Sequence, residues 1–341
     1  MSEIRRDRLH NEYVLIAPER LRRPDLHDKA QKSKSLKSKC PFCEHNESLT
    51  PKELFAIRDN EPNMSGWKTR VIPNLYKAVQ VELEDLSLRD GLFEYIPGVG
   101  AHEILIDSPR HDFDIHKLEA QSIENWLRSM IIRIEDLKKD RRLIYLSIFK
   151  NHGIGAGSTQ EHPHTQIVAL PVTPQREQNF LEQNMRYYRR HGRGKVEDLI
   201  YNEIQAKKRV VYDKGAFVAF CPFASAYPFE IMIAPKKSIT SLEFCSRDDV
   251  LMLSECINSV FEKLSTQLGE YDYNLYFSLP PINPNFENES YMSHLNKNYR
   301  FCIRIIPRIY NVNGFEIATN MSINPVPPEE CAALLRSKEN R

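Results

Sequence analysis

The sequence predicts an α+β fold made of two tandem copies of one unit. Three observations carry this reading. The 341 residues correspond to about two domains at roughly 150 residues each. Short runs rich in β-branched and aromatic residues alternate with longer segments of helical spacing. The order strand, helix, strand, loop, strand also occurs twice, around residues 101–171 and 229–307, with Glu103-Ile104-Leu105-Ile106-Asp107-Ser108-Pro109 matched by Glu230-Ile231-Met232-Ile233-Ala234-Pro235. Two unrelated mixed α/β halves are the alternative.

The elements follow in order. Tyr13-Val14-Leu15-Ile16 reads as a short strand running into the basic turn Arg20, Arg22, Arg23. Lys29 to Lys39 is Lys- and Ser-rich and reads as a loop. Arg70 to Asn74 and Ala101 to Asp107 read as strands. Ala120 to Asp140 places Ile123, Trp126, Leu127, Met130, Ile131, Ile134 and Leu137 on one helical face. Leu143 to Phe149 is a strand, and a loop with Gly153, Gly155 and Gly157 leads to a strand ending at Pro171. A polar, Arg-rich, helix-like stretch, Glu177 to Lys208, opens the second half. Strands follow at Arg209–Asp213, Phe217–Cys221 and Phe229–Pro235, then a helix from Asp248 to Leu268, then strands at Tyr273–Ser278 and Tyr299–Pro307. Ile309 to Asn320 reads as a polar turn or a substrate-contacting loop.

Composition narrows the function. Hydrophobic residues at 41% and charged residues at 27% describe an ordinary globular chain. No apolar run approaches the roughly 20 residues that span a bilayer, and Met1 to Arg8 lacks the apolar stretch of a signal peptide, so a cytoplasmic protein is expected. A net charge of +1 gives no reason to expect nucleic acid or a membrane as partner. Seven scattered cysteines do not read as a disulfide framework. Twelve glycines and no Gly-rich fingerprint argue against a glycine phosphate loop.

Two constellations carry chemistry. Cys40-Pro41-Phe42-Cys43 can chelate one Zn²⁺ from a tight turn, with further ligands from elsewhere; a redox pair or two plain thiols are the alternatives. His111, after Ser108-Pro109-Arg110, is a candidate ligand, with a surface histidine on a turn as its rival. In His162-Pro163-His164-Thr165-Gln166, an extended backbone puts both imidazoles and the amide on one side. Imidazole can serve as ligand, base or nucleophile, and an amide can donate to a charged oxygen. The loop Asn151 to Ser158 offers backbone N–H groups that could bind phosphate. Together these suit phosphoryl chemistry through a phosphohistidine. Counted back from Pro171 and Pro307, His164 aligns with Arg300, His162 with Asn298 and Gln166 with Cys302, so the second half lacks the histidines.

These residues resemble the galactose-1-phosphate uridylyltransferase family, a branch of the histidine-triad superfamily. The resemblance rests on Leu15-Ile16-Ala17-Pro18-Glu19-Arg20 with Arg23-Pro24, Cys40-Pro41-Phe42-Cys43, Arg70-Val71-Ile72-Pro73-Asn74, Ser108-Pro109-Arg110-His111, Asn151-His152-Gly153 through His162-Pro163-His164-Thr165-Gln166, and Gly314-Phe315-Glu316 with Pro327-Pro328-Glu329. It implies two histidine-triad-like domains, residues 1–175 and 176–341, each an antiparallel sheet with packed helices, the first catalytic and the second degenerate. It implies that His164 attacks the α-phosphorus of a nucleotide sugar, that Gln166 contacts the transferred phosphoryl, and that a sugar phosphate then takes the nucleotidyl group. Cys40, Cys43, His111 and His162 would bind one structural Zn²⁺. Asn151, Gly157 and Thr159 would line the nucleotide phosphate site. Arg20 and Arg23 would face substrate phosphate, Asn74 the nucleoside and Glu316 the sugar hydroxyls. Homodimer formation stays open.

The sequence departs from the family at the second metal site that many members carry. Asn298, Tyr299 and Arg300 stand where a His-x-His is expected, only His294 is near, and Cys221, Cys245 and Cys256 are isolated, so no second metal is expected. Phe149 to Gly153, Ala226 to Ile231 and Gly314 to Ile317 look closer to the plant-like branch, which resembles adenylyl-transferring ADP-glucose phosphorylases. Uridylyl transfer from UDP-glucose in galactose metabolism is the family's default. Adenylyl transfer to phosphate is the alternative, with hydrolysis of the intermediate and a zinc-stabilised nucleotide-binding module without turnover as rivals.

Overall fold

The computed structural model describes residues 2–22, 40–111, 115, 119–285 and 288–337. The chain opens with β1 (Glu3–Arg6) and β2 (Tyr13–Ile16), then a 3-10 turn at Pro18–Arg22. β3 (Phe55–Arg58) and β4 (Trp67–Pro73) follow, then an exposed hairpin of β5 (Leu88–Asp90) and β6 (Phe93–Tyr95). Next come β7 (Ala101–Ile106), α1 (Ala120–Leu137), β8 (Tyr145–His152) and β9 (His164–Leu170). The second half begins with α2 (Gln175–His191) and α3 (Lys195–Ala206), then β10 (Val210–Lys214), β11 (Phe217–Phe220), β12 (Ile231–Pro235), α4 (Arg247–Leu268) and β13 (Tyr273–Ser278). Short helices α5 (Glu289–Met292) and α6 (Leu295–Asn298) precede β14 (Cys302–Pro307), and α7 (Gly314–Thr319), β15 (Ser322–Asn324) and α8 (Pro328–Arg336) end the described chain.

Ten strands join into one antiparallel sheet in the order β10-β11-β12-β14-β13-β8-β9-β7-β4-β3. Read outward from its centre, each half contributes fourth, fifth, third, second and first strands. The halves meet where β8 pairs β13, Tyr273 opposite His152 and Phe277 opposite Ile148. Each half sends its helix, α1 or α4, from its third strand to its fourth. This is the arrangement expected of two tandem copies. A separate small sheet, β1-β2-β15, ties the N-terminal hairpin to the C-terminal segment through the parallel pair β2–β15.

Strand alternation divides the buried side chains between the two faces. One face carries Ile148, Ile167, Leu275, Ile303 and Ile305 under α1 and α4, whose Ile123, Leu127, Met130, Leu253, Ile257 and Phe261 are buried against it. Ser246 caps α4 through a capping box with Asp249. On the second half's other face, Val218, Phe220, Met232, Ala234 and Cys302 are covered by α2 and α3 through Phe180, Leu181, Val196 and Ile200. On the first half that face holds only a small cluster, Trp67, Ile72, Ile104 and Ile106, with Phe42 against it.

Three expectations change. The stretch 177–208 is two helices, because Gly192 adopts a left-handed conformation (φ 70°) that ends α2. The polar segment 309–320 contains α7, started by a capping box between Asn313 and Glu316. The strand register also shifts the comparison of the halves. Across β7–β9, Ile104 faces Gln166 and His102 precedes it by two; across β12–β14, Met232 faces Arg304 and Glu230 precedes it by two. Counted from the strand starts, Cys302 stands where His164 does and Arg304 where Gln166 does. A count back from prolines lands two residues away, because it ignores how long each strand runs before its turn.

Candidate active site

His164 opens β9 and Gln166 follows on the same face. The strand is held from beneath by a buried polar chain. Lys150 Nζ donates to Asp107 Oδ2 at 2.6 Å and to the His164 carbonyl at 3.2 Å. Thr165 Oγ1 donates to Asp107 Oδ1 at 2.8 Å, and Trp126 Nε1 donates to Thr165 Oγ1 at 2.9 Å. Lys150 and Asp107 are 1% and 3% exposed, so this ion pair is desolvated and removing either partner would strand a buried charge.

The hydrogen bonds assign the tautomers. His164 Nδ1 donates to the His162 carbonyl at 2.9 Å, which leaves the Nε2 lone pair free. Burial holds the His164 imidazole below its ordinary pKa, so it is neutral at pH 7. A neutral imidazole with a free lone pair is a nucleophile. His162 Nε2 donates to the Ser108 carbonyl at 2.8 Å, which points the Nδ1 lone pair at Cys43 Sγ, 3.6 Å away. Burial pulls His162 down to about 4, so it too is neutral.

Cys40, Cys43, His111 and His162 bring one ligand atom each within 4.8 Å of one another. Cys43 Sγ lies 3.3 Å from His111 Nδ1. Two sulfurs and two imidazole nitrogens converging this closely, one imidazole oriented by a carbonyl behind it, match the donor set of a tetrahedral Cys₂His₂ site. Phe42, inside the Cys-x-x-Cys turn, packs edge-on against His164 with ring centroids 5.5 Å apart. The turn that carries two candidate ligands thus also walls the nucleophile.

Around Gln166 the structure joins residues the sequence left separate. Gln166 Oε1 accepts from His102 Nε2 at 3.0 Å, and Asn74 Nδ2 sits 3.0 Å from the same nitrogen. Asn151 Oδ1 accepts from Asn274 Nδ2 at 2.8 Å, and Asn274 also donates to the Ala156 carbonyl at 2.9 Å. The loop beyond Asn151 is held by Asp272, whose carboxylate accepts Gly155 N–H at 2.7 Å. Gly153 sits at φ 84° with a Cβ position filled by Asp272, so only glycine fits there.

The loop's backbone corrects one expectation. The N–H groups of Gly155, Ala156, Gly157 and Ser158 all have partners within the protein, so these four are not open donors for phosphate. Gly157 contributes its left-handed backbone (φ 83°), and Thr159 is exposed on the same loop.

Arg20 and Glu316 flank the small sheet. Arg20 is exposed on the turn after β2. Glu316 lies on α7, just before β15, where its Oε2 accepts the Asn313 N–H at 3.0 Å and the residue lines a cavity of about 120 Å³ with Tyr227, Tyr310 and Asn311. Arg23 and the Lys29–Lys39 loop lie outside the described residues. Among the described residues, no helix is long and apolar enough to cross a membrane.

Sequence reasoning missed Lys150, Asp107 and His102. The signal for His102 was present: in Ala101–Asp107, period two puts His102, Ile104 and Ile106 on one face. Only the register shows that this face is Gln166's.

Comparison with known proteins identifies the family of the chain. Residues 1–174 match the family model described as the galactose-1-phosphate uridyl transferase N-terminal domain. An ADP-glucose phosphorylase of Arabidopsis thaliana is 33% identical over 98% of this chain and 92% of its own length. A galactose-1-phosphate uridylyltransferase of Thermotoga maritima is 25% identical over 99% of both chains. The crystal structure of an Arabidopsis thaliana ADP-glucose phosphorylase with bound ADP-glucose superposes with a TM-score of 0.84 at 29% identity, over 99% of each chain. This chain belongs to the galactose-1-phosphate uridylyltransferase family and is a nucleotidyltransferase.

Proposed function

We propose that this enzyme moves a nucleoside monophosphate from a nucleotide sugar to a phosphate-bearing acceptor through a covalent nucleotidyl-His164. The observation that carries the reading is the His164 tautomer, with Nδ1 committed to the His162 carbonyl and Nε2 free. His164 Nε2 forms a bond to the α-phosphorus, the bond from that phosphorus to the bridging oxygen breaks, and sugar 1-phosphate leaves with the electron pair. A phosphate oxygen of the acceptor then attacks the same phosphorus and the P–N bond breaks, freeing His164 for the next cycle. Gln166 donates its amide N–H groups to the nonbridging oxygens as charge spreads over them. Asn74 faces the nucleoside, Asn151, Gly157 and Thr159 the nucleotide phosphates, Arg20 and Arg23 substrate phosphate, and Glu316 the sugar.

Cys40, Cys43, His111 and His162 would hold one Zn²⁺, which fixes the Cys-x-x-Cys turn and the start of the histidine strand and takes no part in bond breaking. The catalytic unit is residues 1–175 and the degenerate unit 176–341. The setting is cytoplasmic, with homodimer formation open.

Two donors fit this chemistry. Uridylyl transfer between UDP-glucose and a hexose 1-phosphate is the family's default. Adenylyl transfer from ADP-glucose to inorganic phosphate is favoured by the greater likeness to the Arabidopsis enzyme, 33% against 25% identity. Incubation with each sugar nucleotide, followed by intact-protein mass spectrometry, separates them by the mass added. Labelled phosphate or hexose 1-phosphate then identifies the acceptor. No added mass with either donor would overturn the reading.

A further inference from the structure

We infer that His102 is a positioning residue for the transfer step, setting which way the Gln166 amide faces. The inference rests on His164 as nucleotidyl carrier and Gln166 as phosphoryl contact. It starts from a backbone donor on the ring. Ala78 N–H donates to His102 Nδ1 at 3.1 Å, so Nδ1 is an acceptor. In a neutral ring the proton then sits on Nε2. Nε2–H lies 3.0 Å from Gln166 Oε1, which accepts it. The amide oxygen of Gln166 is thus tied back to β7, and its NH₂ group, the end able to donate to a phosphoryl oxygen, is turned away from His102.

Without that tie the amide could rotate by half a turn at little cost, because its oxygen and nitrogen ends are nearly isosteric. A rotated amide would present a lone pair to a negatively charged oxygen. The Ala78 contact therefore reaches Gln166 through two hydrogen bonds, with the imidazole converting a turn's N–H into a fixed donor direction.

Asn74 borders the same ring. Its Oδ1 accepts Tyr76 N–H at 2.9 Å, which fixes Nδ2 toward His102 Nε2. Nε2–H cannot accept from Asn74, so this contact does not compete with Gln166 for the ring's proton. One imidazole hence borders both the residue expected at the nucleoside and the residue expected at the phosphoryl. The second half replaces the relation: Arg304 Nη1 donates to Glu230 Oε1 at 2.7 Å, a closed ion pair in the same diagonal position.

The test uses side chains that mimic one ring nitrogen each. In His102→Gln the amide nitrogen can occupy the Nε2 position, and in His102→Asn only the Nδ1 position. Single-turnover nucleotidyl-enzyme formation is followed by mass spectrometry with ADP-glucose and with UDP-glucose. The wild type is expected to form the adduct, His102→Asn to form it at least about 10-fold more slowly, and His102→Gln to recover most of the rate. Gln166→Ala is expected to be slow, and adding His102→Asn to it to cost little more. Thermal unfolding checks that each variant is folded. Equal rates for wild type and His102→Asn, or fully additive losses in the double variant, would overturn the inference while leaving nucleotidyl-His164 standing. Absence of an adduct on the wild type would overturn the parent reading and this inference together.

Discussion

Strands β9 and β14 occupy equivalent places in the two halves, yet their polar faces end differently. On β9, His164 turns one nitrogen to its own backbone and leaves the other free, and Gln166 is tied by its oxygen alone. On β14, Cys302 is buried beneath α2 and α3, and the buried Arg304 is closed onto Glu230. The same sheet geometry thus yields an open face with spare donors and lone pairs, or a sealed face with its charges paired. The difference is made by what covers the strand: helices on one half, a Cys-x-x-Cys turn on the other.

The largest expected effect breaks the open face. His164→Ala should lower turnover by at least about 10⁴-fold with thermal stability kept, whereas Cys302→Ala should change turnover by no more than about twofold. Steady-state rates and melting curves of both variants check this. Similar losses in the two would mean the faces are not functionally distinct.

Breaking the sealed face should cost stability instead. Arg304→Met leaves Glu230 buried and unpaired, a loss of about 3–5 kcal/mol in urea unfolding. Next in size, Cys43→Ser should lower the zinc content of the purified enzyme relative to wild type, read by elemental analysis, and slow adduct formation by about 10- to 100-fold through loosening of the turn that walls His164.

The smallest effect concerns Glu177, which is buried on α2 and accepts from Tyr299 Oη at 2.8 Å. Burial pushes its carboxyl up to about 7. The folded state then holds a proton that the unfolded state releases near 4.3. The resulting stability is fully present below that value and is lost as pH rises through about 7, so stability should fall between pH 4.5 and 7 by about 2 kcal/mol or less. Denaturation of Glu177→Gln across this window should show a shallower slope; an unchanged slope would assign the dependence elsewhere.

Much of this was legible in the sequence because it is local. Cys40-x-x-Cys43 and His162-x-His164-x-Gln166 place their groups by spacing alone, and α1 and α4 announce themselves by apolar residues at three- and four-residue steps. The tandem copy was legible from element order. What depends on register was not: whether His102 meets Gln166, or Arg304 meets Glu230, is decided by how two strands slide past each other, which no single segment encodes. The buried pair Lys150–Asp107 was missed for the same reason, its partners lying 43 positions apart. The break at Gly192 was masked by polar helical composition on both sides.

The measurement that tests the central claim most directly is peptide mapping of the enzyme after brief reaction with ADP-glucose or UDP-glucose, under conditions that preserve phosphoramidate bonds. A nucleotidyl group on His164, absent in His164→Ala and absent from every β14 peptide, is the predicted result. A nucleotidyl group on any other residue, or turnover that persists in His164→Ala, would contradict it.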